Sequence, residues 1–269
     1  MTISTNVQAL KNADNLEAVQ VRLNKSLSRL SSGSKITSPA DDCAGLAVSS
    51  RLDAQVQRTD AAQSNVTNAL SFTQTQDGFL ANIATALSRM SELSVQAQDQ
   101  TKNDGDRQLY DKEFQQLSSY ITSAASKDFD GVSLFSGNSL SVTLDADNAT
   151  SLTMSGIDLT GLAAYSDATS ANIQTTVAAV SALTAVKAAI TQLSTDRATL
   201  GSYEARLNFT AEQLAVGKEN LTAASSQIKD VDVADESTEY ARETVLLQST
   251  TAMLAQANQL PQTVLKLIA

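Results

Sequence analysis

The segment DADNATSLTMSG (145–156) opens like a calcium-binding loop, with carboxylates at Asp145 and Asp147. Such a loop needs Gly at its sixth position for the sharp turn and a bidentate Glu at its twelfth. Thr150 and Gly156 stand there instead, so the segment is read as no metal site. Acid–base chemistry lacks its usual agent, because the chain has no His, which is the commonest side-chain base near neutral pH and a frequent metal ligand. One cysteine, Cys43, excludes an internal disulfide and a Cys-based zinc centre. It is read as a small packing residue, since a buried free thiol behaves as a small hydrophobe. N-x-S/T sequences at Asn65, Asn148, Asn208 and Asn220 match the number expected by chance. With no positioned base, phosphate loop or metal cluster, the sequence points away from an enzyme and implies no cofactor.

What remains is the chemistry of association. The last twenty residues, TTAMLAQANQLPQTVLKLIA (250–269), carry one charged side chain, Lys266. Yet the whole chain is acidic, with net charge −10 and an isoelectric point near 4.5. That balance argues against a nucleic-acid partner. The start, MTISTNVQALKN, has neither a basic opening nor an apolar core, which predicts no secretory signal peptide. No run of 18 apolar residues is present, which predicts no membrane span. Chain ends are normally polar and frayed unless something ties them down, so an apolar end requires a cover.

The elements that must position these ends follow from periodicity. Ile3, Val7 and Leu10, then Leu16, Val19, Leu23, Leu27 and Leu30, step by threes and fours and predict a helix with one apolar face. The stretch SSGSKITSPADD (31–42) breaks it at Gly33 and Pro39. A helix of roughly 55 residues is predicted from about Ala44 to Gln100, with Leu52, Val56, Val66, Leu70, Leu80, Ile83, Leu87 and Met90 as its stripe. KNDGD (102–106) is a turn, and a shorter helix carries Leu109, Phe114, Leu117 and Ile121. Between Lys127 and Lys187 there is no Lys, Arg or Glu, and all six acidic residues are Asp. Alternation at Leu140, Val142 and Leu144, then Leu152 and Met154, predicts one or two short hairpins. Val186, Leu193, Leu200, Leu207, Leu214, Leu221 and Ile228 then recur every seven residues and form the seam of a second long helix. The second seam position is weaker: Ile190 fits, but Arg197, Glu204 and Lys218 do not. This predicts packing among several helices. After KDVDVADE (229–236) a last helix carries the apolar end.

The predicted fold is mainly α. A long antiparallel helical rod of coiled-coil type carries a small β-hairpin region at its outer tip and paired terminal helices at its base. The predicted domains are 1–42 together with 231–269, the terminal helices, and 43–230, the rod, including a variable β-containing segment at 129–170. A pair of end helices leaves two outer faces wet, so other copies of the chain must cover them. A head-to-tail surface that does not close generates a helical filament.

The stretch LNKSLSRLSSGSKITSPADDCAGLAVSSRL (23–52) resembles the N-terminal signature of bacterial flagellins. RLNFTAEQLAVGKENLTAASSQIKDVDVADES (206–237) and TAMLAQANQLPQTVLKLIA (251–269) resemble the C-terminal one. With LSRMSELSVQAQD (87–99) and FDGVSLFSG (129–137), the resemblance covers most of 1–136 and 185–269, and 137–184 lies outside it. Cys43 stands where the family usually has Ala, and Asp130 where Asn is common. The resemblance implies a subunit that polymerises into the hollow helical filament of the bacterial flagellum, for swimming. A hook–filament junction protein of the same export system is the alternative, and the ANQLPQTVLKLIA ending favours flagellin. Implied partners are many copies of the chain, the type III export apparatus, an export chaperone, and the filament cap and junction proteins. The implied location is the extracellular filament. Self-assembly residues would be Ile3, Val7, Leu10, Leu23, Leu27, Leu30, Leu254, Leu260, Val264, Leu265, Leu267 and Ile268. Arg89, Glu92 and Leu93, spaced to share a helix face, and Glu113 on the next helix match the surface by which an animal toll-like receptor recognises the family.

Overall fold

The computed structural model describes residues 6–145 and 150–268, with side chains through Gln259. The elements in order are α1 (Val7–Ser32), α2 (Cys43–Ala97), α3 (Asp104–Ala125), β1 (Asp128–Phe129), β2 (Val132–Ser133), β3 (Leu140–Thr143), β4 (Ser151–Met154), α4 (Ala163–Ser170), α5 (Thr176–Lys229) and α6 (Val233–Ile268). Their contacts divide into two units, Met1–Val56 with Asn220–Ala269, and Gln57–Glu219. The division falls inside α2 and α5, whereas the sequence placed it at the breaks beside them.

In the first unit, local chemistry sets the helix ends. Asn6 caps α1, its side-chain oxygen accepting from the Ala9 N–H at 3.1 Å. Gly33 ends the helix at φ +67°, a left-handed conformation that glycine adopts without steric cost. Asp42 caps α2 by accepting from the Gly45 N–H at 2.8 Å. Asp232 caps α6 by accepting from the Ala234 N–H at 2.9 Å, so this break is shorter than the sequence suggested. The two breaks pair with each other. The Lys35 N–H donates to the Lys229 carbonyl at 2.7 Å, and the Val231 N–H to the Gly33 carbonyl at 3.1 Å. Asp53, early in α2, accepts from Ser225 and Lys229, late in α5. These bonds tie the near ends of both long helices to the terminal pair.

In the second unit, α2 and α5 run antiparallel. Gln98 meets the Ala179 carbonyl, Asp77 binds Arg197 through two oxygens at 2.7 and 3.0 Å, and Asp60 pairs with Lys218 at 2.6 Å. Val186, Leu193, Leu200 and Leu207 are buried, while Leu214 is half-buried. In the first unit, Leu221 and Ile228 are half-buried. The second seam lies three residues after the first, not four. Ala182 and Ala189 are buried there and Tyr203 is half-buried, so Arg197 and Glu204 never had to enter it. α5 also contains an 18-residue window of mean hydropathy 1.4, long and apolar enough by composition to cross a membrane. That hydropathy comes from Ala- and Val-rich sequence whose Ala179, Ala182, Val186 and Ala189 lie in the core.

α3 packs Phe114 and Ile121 into this core, whereas Leu109, expected in its stripe, is largely exposed. Buried Asp111 accepts from the Ile173 N–H at 2.9 Å and from Gln174 at 2.8 Å, fixing the approach to α5. β1 and β2 join through Asp130 and Gly131, both at positive φ, 52° and 78°, the pattern that suits a tight two-residue hairpin. β3 and β4 pair from Leu140↔Met154 to Thr143↔Ser151. Leu144, Leu152 and Met154 cover Val66, Ala69 and Leu207. α4 was not foreseen. It is too short to show a periodic stripe, and it is held by buried Tyr165, whose hydroxyl donates to Asp196 at 2.6 Å.

Truncating Leu207 to Ala removes a fully buried side chain and is expected to cost about 2–5 kcal/mol of unfolding free energy. Leu221→Ala, at a half-buried seam position, is expected to cost less than half as much. Chemical denaturation of both variants checks this, and equal losses would refute the graded seam.

Candidate functional site

The terminal helices α1 and α6 pack along an alternating seam. On α1 the inward positions are Ala9, Asn12, Leu16, Val19, Leu23, Ser26 and Leu30; on α6 they are Glu236, Tyr240, Glu243, Leu247, Thr250, Leu254 and Ala257. Each set steps by threes and fours, the spacing of a coiled-coil seam. Asn12 reaches the Met253 carbonyl at 3.4 Å, Arg22 pairs with Glu243 at 3.1 Å, and Arg29 pairs with Glu236 at 3.6 Å. Residue numbers fall on one helix as they rise on the other, so the pair is antiparallel.

Polar groups occupy the part of this seam toward the end of α1 and the start of α6. Ser26 is buried and its hydroxyl donates to a Glu236 carboxylate oxygen at 2.5 Å. Glu243 is 3% exposed, with one oxygen toward Arg22 and Arg242 and the other enclosed without a hydrogen-bond donor. A buried carboxylate is tolerated only when it is paired. Glu243 therefore makes the arrangement depend on Arg22. Sequence reasoning missed these positions because Glu243 and Thr250 interrupt the apolar pattern.

The outer faces are apolar. Val7, Leu10, Val21 and Leu27 on α1, and Val245 and Met253 on α6, are each more than half exposed. The stripe expected on α1 thus divides. Leu23 and Leu30 turn toward α6, and Val7, Leu10 and Leu27 turn outward. Leu254 is half-buried within the seam. Ile3 and the side chains of Leu260, Val264, Leu265, Leu267 and Ile268 lie outside the described residues.

At the base of the pair, Lys25 and Asp41 meet at 2.6 Å. Asp41 also accepts from the Thr37 hydroxyl and from the Thr37 and Ser38 N–H groups. The Lys25 ammonium, followed by these donors, holds its carboxyl down at about 2. Cys43, expected to be buried, is exposed at the first position of α2, since the turn before it points the helix start into solvent.

In the second unit, Arg89 grips Glu113 through both carboxylate oxygens at 2.7 and 3.2 Å and reaches Glu92 at 3.0 Å. Glu113, foremost, and Glu92 raise the guanidinium above its ordinary range, and Arg89 in turn lowers Glu113. The three charged groups share an exposed patch. Leu93 is fully buried in the core, one position beyond the exposed face of α2, and so is not part of that surface.

Family comparison places the helices just described. The bacterial flagellin N-terminal helical region matches residues 3–139, and the bacterial flagellin C-terminal helical region matches residues 183–268. The chain belongs to the bacterial flagellin family. It is 33% identical to flagellin FlaB2 of Treponema pallidum and 34% identical to a flagellin of Halalkalibacterium halodurans, each over the full length of both chains. Among solved structures it is similar to Bacillus cereus flagellin, at 29% identity and a TM-score of 0.51 over 56% of this chain and 88% of the other. A Vibrio parahaemolyticus protein described as flagellar hook-associated aligns over 71% of this chain and all of its own, with a TM-score of 0.61 but 14% identity, a likeness of fold alone. The matched ranges take in both halves of the α1/α6 pair and the Arg89 patch. β3, β4 and α4 lie outside them.

The Lys25–Asp41 contact gives this flagellin a pH signature. A carboxyl depressed from 3.8 to about 2 contributes stability that is complete above the unfolded value and is lost as pH falls through the folded one. Carbon-13 titration of Asp41 is expected to give a midpoint of about 2, and Lys25→Ala should move it up toward 3.8. A parent midpoint already at the upper value would eliminate the contact.

Proposed function

We propose that this chain assembles through its α1/α6 pair into the hollow helical filament of the bacterial flagellum and serves swimming. Membership of the flagellin family makes it a filament structural subunit. The observation that carries the assembly route is the apolar outer face of the pair, with Val7, Leu10, Val21, Leu27, Val245 and Met253 exposed on two helices that have already used their inner faces on each other. Burying such side chains is worth about 25 cal/mol per Å² of apolar surface, so several per copy supply several kcal/mol to each set of contacts. Residues 1–42 with 231–269 form the inner tube, 43–230 the surrounding shell, and 129–170 its outermost, variable part.

The filament reading carries the finer partners with it. The subunit leaves the cell through the flagellar export apparatus with an export chaperone, meets the junction and cap proteins, and resides outside the cell. The junction-protein alternative is not favoured, because the full-length relatives bear flagellin names. Recognition of the free subunit by an animal toll-like receptor would use the exposed Arg89, Glu92 and Glu113 patch.

Deleting residues 250–269 should leave a soluble chain that forms no filaments, while the parent, heated and cooled, should form long ones in electron micrographs. Normal filaments from the truncated chain would overturn the role of the pair.

A further inference from the structure

Pro261 lies within α6, which is helical from Val233 to Ile268. In an α-helix each carbonyl accepts from the N–H four residues ahead, and proline has no N–H. The carbonyl of Ala257 is therefore left without its intrahelical donor. Ala257 is buried, at 4% exposure, and a buried backbone oxygen needs a partner. It has one from the other helix: the side-chain amide nitrogen of Asn6 donates to it at 2.8 Å. The oxygen of the same side chain accepts from the Ala9 N–H at 3.1 Å and caps α1.

We propose that Asn6 and Pro261 together form a registry clip that fixes where the start of α1 sits along the end of α6. The proline creates a vacant acceptor ahead of the last turn of α6, and the asparagine fills it. The flanking carbonyls of Gln256 and Asn258 face the N–H groups of Leu260 and Gln262 along the helix, so a slide by one residue would exchange a free acceptor for a shared one, of the kind that Asn12 meets at the Met253 carbonyl at a longer 3.4 Å. Asn supplies both functions from one short side chain. Asp would keep the cap but lose the donor, and Gln would move both atoms a methylene away. Among the described residues, the ion pairs of the seam join Arg22 and Arg29 to Glu243 and Glu236, toward the other end of α1.

The test is a double-mutant cycle on the full chain with Asn6→Asp and Pro261→Ala, read as the critical concentration for polymerisation, a readout that rests on the subunit reading above. Asn6→Asp retains the cap acceptor and removes the donor; Pro261→Ala restores the intrahelical bond to Ala257. Asn6→Asp is expected to raise the critical concentration about tenfold in the parent, and less than about twofold when Pro261 is already Ala. The same rise in both backgrounds, or none in either, overturns the clip. A second measurement needs no variant. In the parent chain the Asn6 side-chain amide protons should exchange with solvent at least about tenfold more slowly than those of exposed Asn258, and equal rates would also overturn the clip. Failure of the parent to polymerise would instead sink the subunit reading and leave this exchange measurement intact.

Discussion

The buried carboxylate of Glu243 constrains everything around it. It sits in the α1/α6 seam, where a leucine would have been the ordinary choice, and its charge is answered from the opposite helix by Arg22. Removing one partner of such a pair strands a charge in a place water does not reach, a penalty larger than the pair's own net contribution. A seam of leucines alone would bind several alignments with similar strength. An ion pair, a buried serine and a second Arg–Glu contact in the same seam bind only one of them. Alignment in turn decides which side chains face outward, so the outward apolar faces follow from a polar interaction between the two helices.

The breaks flanking the long helices serve the same end by other means. Gly33 allows α1 to stop, Asp42 and Asp232 start the next helices, and backbone bonds between Gly33, Lys35, Lys229 and Val231 join the two turns as a short antiparallel ladder. The aliphatic side chains of those turns, Ile36 and Val231, are only half-buried. Hydrogen bonds and the Lys25–Asp41 contact hold them instead.

Much of this was legible in the sequence. The length of α2, the seven-residue recurrence of Val186 through Leu207, and the alternation of Leu140, Val142, Leu152 and Met154 each announced their element, because a helix seam and a strand face impose unmistakable periods. The second seam of α5 was not legible. It is built largely of alanine, whose small side chain fits a close helix contact but adds little to an apolar pattern. Glu243 and Ser26 were invisible as seam residues for the complementary reason, since their burial is balanced by partners far away in sequence. Asn6 and Ala257 lie 251 residues apart, and only a folded pair shows that a missing N–H at one end answers a spare amide at the other. Leu93 misled because its spacing from Arg89 suits a shared face, while one position's rotation is enough to send it into the core.

The alternating steps of three and four along α1 and α6 also dictate where the gene can change length. One residue added within either helix rotates everything beyond it by about 100°, carrying the charged partners out of the seam and the outward apolar groups into it. Additions of seven or eleven residues come close to preserving the phase. β3 and β4 lie outside both matched family regions, and their pairing obeys a two-residue alternation instead.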